Sequence, residues 1–162
     1  MINDSGKLNW RGLNVSRDRR HENLIRELVE DKETGIFSYI KDLMVFSAML
    51  GYCYEIKKPL SDDKVPITLG TYHNSEDDGF IYLLALMEKK DAICLKDNHL
   101  ASSIKIFEEY CNGGLDLIQD WFASNVIDAS RLDTSEDRIW EYINSYEATS
   151  NEVDNEGLEV EF

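Results

Sequence analysis

Asp18, His21 and Glu22 crowd into a single turn of chain, and Asp18 and Glu22 stand four apart, the spacing that sets two carboxylates on one helix face beside an imidazole. Such a trio can act as general acid and base. Arg17, Arg19 and Arg20 interleave with these acids, however, and that mixture is the composition of a solvated, salt-linked helix surface, which is the preferred reading. Glu76-Asp77-Asp78 could supply the paired carboxylates that hold magnesium beside a phosphate in a small metal-dependent nuclease. Acids at the start of a helix satisfy its dipole and explain the run more simply, and no Glu-x-Lys on a credible strand completes a nuclease. His73 and His99 lie near Asp77, Asp78 and Asp97 in sequence, but nothing in their spacing makes three or four ligands converge, so no metal site is expected. Among the thiols only Cys94 has a close basic neighbour, Lys96; Cys53, Cys94 and Cys111 lack CxxC spacing and sit among apolar residues as small core side chains. The chain is therefore expected to be no enzyme and to need no cofactor.

Binding is the better-supported chemistry. Trp10, Arg11, Arg17, Arg19 and Arg20 could contact phosphates or a partner protein, with the indole stacking on a base. The net charge of −15 opposes a polyanion, although its placement is uneven. Residues 1–26 hold six basic residues against three acids, +3, which leaves −18 for the rest. Beyond position 146 the chain has acids without Lys or Arg among Asn, Ser and Gly, so residues 147–162 read as a flexible acidic tail. Its last apolar residues, Leu158, Val160 and Phe162, alternate like a short strand and suit a partner's docking groove.

The elements that must position these residues are mainly helical. At 162 residues with 43% hydrophobic content the chain can bury a sizeable core. Its longest apolar run, Phe80–Met87, is far short of the ~20 residues that cross a bilayer, and Met1-Ile-Asn-Asp has no basic start, so a cytoplasmic protein is expected. Residues 1–15 read as an N-terminal arm whose Leu8, Trp10, Leu13 and Val15 can dock, and residues 16–146 as the helical domain. Ser16 is read as the N-cap of a first helix carrying Leu24, Ile25, Leu28 and Val29. A second, apolar over most of its circumference, runs from Ser38 to a stop at Gly51. Residues 55–76 form a long connection with one brief strand near Val65–Leu69. A third helix opens at Asp77-Asp78, a fourth covers Leu100–Tyr110, Asn112-Gly113-Gly114 interrupts, a fifth covers Leu115–Val126, and Thr134 with Asp137 caps a last one carrying Ile139, Trp140, Ile143 and Tyr146.

Five segments then point to a family. Arg19-Arg-His-Glu is followed by Leu28-Val-Glu-Asp-Lys-Glu-Thr-Gly-Ile-Phe37 and Lys41-Asp-Leu-Met-Val-Phe-Ser-Ala-Met-Leu-Gly-Tyr52; Pro66-Ile-Thr-Leu-Gly-Thr-Tyr72 and Ile81-Tyr-Leu-Leu-Ala-Leu-Met87 come next in order. Over residues 17–122 this pattern resembles the small accessory proteins of bacterial DNA phosphorothioation (Dnd) systems, with a layout similar to DndE, their small helical subunit. To the compact bundle of five or six helices with at most one short strand that the residues predict, the resemblance adds an arrangement ribbon-helix-helix-like in part and able to self-associate. It further implies a non-catalytic subunit of an anti-phage defence system, working with an ATPase or nuclease subunit and contacting DNA indirectly. A DNA-binding regulator using the basic N-terminal region is the alternative. The family's basic face would fall here on Arg17, Arg19, Arg20, Arg26, Lys32 and Lys41, on helices otherwise rich in acids.

Overall fold

Val15 is wholly buried while its neighbours Asn14 and Ser16 are not, an alternation that belongs to a strand and not to a helix start. In the computed structural model, which describes residues 9–31 and 35–156, β1 (Asn14–Asp18) pairs antiparallel with β2 (Lys64–Thr68). Ser16 stands opposite Pro66, and Asp18 opposite Lys64. Two strands thus replace the single one expected, and the first helix begins at Glu22 instead of Ser16. The partner that makes β1 a strand lies some fifty residues downstream, where a local pattern cannot reveal it.

Six α-helices complete the described fold, which is mainly α. They are α1 (Glu22–Ile25, continued by a π-turn Arg26–Glu30), α2 (Ile40–Cys53), α3 (Leu69–His73), α4 (Asp78–Lys89), α5 (Leu100–Ser124) and α6 (Leu132–Glu156). The chain divides into two units, residues 1–119 and 120–162. The core of the first is built from Leu43, Met44 and Ala48 of α2, Leu69 and Tyr72 of α3, Ile81 and Leu84 of α4, and Leu100, Phe107, Cys111 and Leu115 of α5. Tyr72 crosses Phe107 edge to face at 6.0 Å and gives its hydroxyl hydrogen to Met44 Sδ at 3.1 Å.

Gly113-Gly114 does not interrupt anything. α5 runs through both glycines, and each is a notch: a Cβ on Gly114 would lie 1.8 Å from the Ser47 carbonyl oxygen of α2, and one on Gly113 2.2 Å from the Ile56 carbonyl oxygen. Gly51 plays the same part from the other side, since its Cβ would fall 2.1 Å from the Tyr110 oxygen; it lies inside α2 and does not end it. The helix-breaking cost of glycine, about 1 kcal/mol each, is offset by backbone contact that no larger residue permits.

In the second unit the turn before α6 is organised by Asp128. Its carboxylate accepts from Thr134 N–H (2.8 Å), the Thr134 hydroxyl (2.7 Å), the Ser130 hydroxyl (2.8 Å) and Arg131 N–H (3.0 Å). Thr134 is therefore buried inside the first turn as a donor to Asp128, not the cap expected of it. The Arg131 guanidinium lies over the Phe122 ring at 5.2 Å. The four hydrogen bonds hold the Asp128 carboxyl down at about 2.

Gly114→Ala drives a methyl group into the α2 backbone and is expected to cost about 3 kcal/mol, a fall in Tm of roughly 10 °C by circular dichroism. An unchanged Tm contradicts the notch. Asp128 stabilises its turn above its ordinary value of 3.8 and loses that contribution as pH falls towards 2. Asp128→Ala is accordingly expected to increase amide hydrogen exchange across residues 128–135 at neutral pH, and to alter it little near pH 2.

Candidate functional site at the Arg17–His21 turn

β1 ends at Asp18, and the chain bends through Arg19–His21 into α1, so the charged cluster singled out by its types sits on a turn between two elements. α5 supplies the receiving surface. Glu108, Asn112 and Asp116 are four apart and share one helix face. Glu108 Oε1 takes the Ser16 N–H at 2.6 Å, Asn112 Oδ1 lies 3.1 Å from His21 Nε2, and Asp116 takes Arg20 Nη2 at 3.0 Å and Lys58 Nζ at 2.7 Å. The Asn112 amide is oriented by donating to the Pro59 carbonyl at 2.9 Å. Its oxygen therefore faces His21, and Nε2 carries the ring proton.

His21 is 1% exposed, and its Nδ1 is buried with no hydrogen-bond partner. Protonating that nitrogen would bury an unpaired donor. Burial first, and then the Arg20 charge, lower the imidazole below its ordinary 6.5, with Asn112, Asp116 and Asp18 opposing. Asp18 is buried as deeply; its Oδ1 accepts both the N–H (2.9 Å) and the hydroxyl of Ser61, and its Oδ2 lies 3.3 Å from Arg20 Nε. Burial would raise that carboxyl, but hydrogen bonds from Ser61 and Asn112 and the Arg20 charge together hold it low. Arg17, 3% exposed, pairs with Glu22 Oε2 at 2.9 Å, and its Nε and Nη1 are buried without a hydrogen-bond partner. Burial pushes the neighbouring Cys111 thiol and Glu108 carboxyl up. Chemically the cluster is a charge-matched joint that fastens the strand-to-helix turn to α5. Its imidazole offers a substrate no accessible face.

The residues expected to contact a nucleic acid or partner are thus dispersed. Arg17 faces inward, Arg20 is half exposed but engaged by Asp18 and Asp116, and the exposed Arg19 holds Asp63 at 2.8 Å. Trp10 and Arg11 form a separate group: the Arg11 guanidinium lies 5.1 Å over the indole, and the indole edge meets His73 at 4.7 Å. His73 in turn pairs with Asp78 at 2.9 Å, while Asp77 accepts from Lys41 (2.5 Å) and the Ser75 hydroxyl (2.6 Å). No group of three or more His, Cys, Asp or Glu among the described residues could hold a metal ion. Leu158, Val160 and Phe162 lie outside the described residues.

The family model for DNA sulphur modification system-associated protein 4 matches residues 14–157. The chain belongs to this family. No curated protein and no solved structure matches it. The match begins at the first residue of β1 and ends one residue beyond α6, so the family unit includes the strand, the turn and the α5 surface that holds them. It supports the Dnd-associated family and does not extend to DndE itself. No helix of the described residues is long and apolar enough to cross a membrane.

In this sulphur modification system-associated protein, the partners that hold the turn, Glu108, Asn112, Asp116 and Ser61, are not among the residues that the sequence singles out. A signal for three of them existed. They form a polar row at four-residue spacing on a largely apolar helix, but a break at Asn112-Gly113-Gly114 leaves Glu108 on one helix, Asn112 in the interruption and Asp116 on the next.

Because His21 is less basic folded than unfolded, the unfolded chain binds the extra proton below pH 6.5; the neutral ring's contribution is complete above that value and shrinks as pH falls. Each pH unit below 6.5 is expected to remove up to about 1.4 kcal/mol until the folded value is reached. Glu108, raised by burial, acts with the opposite sign, so the measurement is the difference between the unaltered protein and His21→Gln. The Tm of the unaltered chain should drop more steeply between pH 7.5 and 5.5 (about two pH units); parallel curves contradict this role.

Proposed function

We propose that this chain is a non-catalytic accessory or adaptor subunit of a prokaryotic anti-phage system linked to DNA phosphorothioation or restriction, acting through protein-protein assembly with an ATPase or nuclease complex. Its membership of a DNA sulphur modification system-associated family supplies the system. The observation that carries the assembly reading is the internal neutralisation of its arginines. Glu22, Asp63, Asp18 and Asp116 occupy Arg17, Arg19 and Arg20, so the segment richest in basic residues presents little net positive charge in a chain of −15. Duplex binding depends on cations that release counterions from phosphates, and here those cations already have carboxylates beside them. DNA is reached through the partner.

The purified full chain should co-purify with the ATPase or nuclease subunits of its own system and bind duplex DNA more weakly than about 1 μM at physiological salt, the range of non-specific binding. Tighter, steeply salt-dependent binding that is lost in Arg11→Ala/Arg19→Ala/Arg20→Ala overturns the adaptor reading in favour of a DNA-binding regulator.

A further inference from the structure

We propose that the exposed face of α6 receives a basic amphipathic helix of a partner protein. The inference rests on the assembly reading above and assigns the surface and the chemistry of its occupant.

Exposed large hydrophobic residues are concentrated in one stretch of the chain. Val126, Ile127, Leu132, Trp140, Ile143 and Tyr146 fall within twenty-one positions, whereas the first unit spreads Tyr39, Phe80, Leu83, Ile93 and Leu95 over far more of its sequence. Val126 and Ile127 are 79% and 95% exposed, and Trp140 of α6 is 54% exposed. Clustered apolar exposure of this kind marks an interaction surface. Leu132, Ile139 and Tyr146 repeat every seven residues, with Ile143 alongside, which is the seam that a second helix fills. An aromatic anchor at its edge, Trp140, is the residue type that most often dominates such contacts.

Charge selects the occupant. Between Leu132 and Glu147 the helix carries Asp133, Glu136, Asp137, Glu141 and Glu147 against Arg138 alone. At the helical 100° per residue, Glu136 and Glu147 stand about 40° and about 60° from Leu132 on the side that carries Ile143 and Trp140, so both acids border the apolar line where the partner's charges would fall. Two copies of this face would set acids against acids. A helix with lysine or arginine beside its apolar seam meets complementary charge along its length.

The probe is a labelled synthetic 21-residue helical peptide, with Leu at the seam positions and Lys elsewhere, titrated into the full chain by fluorescence anisotropy. Two controls accompany it, one with Glu in place of Lys and one of the same Lys-rich composition in scrambled order. Only the ordered Lys peptide should bind, and its affinity should fall as salt rises. Trp140→Ser/Ile143→Ser should weaken binding at least about tenfold with unchanged circular dichroism and Tm, because both side chains are exposed. Glu136→Lys/Glu147→Lys should shift preference to the Glu peptide. Equal binding of the scrambled peptide, or of the serine variant, overturns the proposal, as does sedimentation showing a dimer that the serine variant abolishes. The two readings separate in co-purification: if the serine variant still travels with the system's ATPase or nuclease, the α6 assignment falls and assembly stands. If the unaltered chain fails to co-purify while the peptide binds, assembly falls and the α6 surface stands.

Discussion

The close approach of α2 and α5 is the constraint on which the first unit rests. Gly51 of α2 meets the Tyr110 carbonyl, and Gly114 of α5 meets that of Ser47, so each helix contributes a glycine where the other's backbone passes. Side chains at these positions would hold the helices apart and open the layer occupied by Leu43, Met44, Ala48, Phe107, Cys111 and Leu115. Gly113 extends the contact to the Ile56 carbonyl, and the Lys58 N–H donates to Glu109 O at 3.0 Å, laying the connection after α2 along α5. From that connection come the Pro59 carbonyl that orients Asn112 and the Ser61 groups that hold Asp18.

An unbroken α5 is what turns three separate polar residues into a row. Glu108, Asn112 and Asp116 stand on one face only because the helix continues through both glycines, and their regular spacing matches the advance of the chain from Ser16 to His21. The network is mostly satisfied: every oxygen of Asp18 and Asp116 has a donor, while Arg17 and His21 retain buried nitrogens without one. Groups of this kind hold a unique arrangement because any shift unpairs a buried charge. The arginines are therefore parts of the fold first, which leaves the acid excess as the field that the molecule presents to others.

Much of the helical content was legible in the sequence. The spacing of Leu43, Met44 and Ala48, the acids opening α4 at Asp77-Asp78, and the polar face of α6 with Ile139, Trp140, Ile143 and Tyr146 all follow from local periodicity, because an amphipathic helix declares its buried face within a few turns. The brief strand near Val65 was legible from its β-branched residues and prolines. The short apolar motifs also pointed to the right family, since they encode packing that relatives must share.

Other features turned on contacts between residues far apart in the chain. Ser16 carries the signature of an N-cap and Gly113-Gly114 that of a break, and each was overridden by a partner: β2 for the first, the α2 backbone for the second. Arg17 has the type of a surface cation, yet a buried strand position and Glu22 turn it inward. Composition and periodicity alone determined that this is a mainly helical, strongly acidic chain with an apolar stripe on its last helix. Tertiary structure alone decided which arginines are engaged, which glycines are notches and which histidine is held neutral, because burial, charge pairing and backbone approach depend on what stands opposite a residue and not on what precedes it.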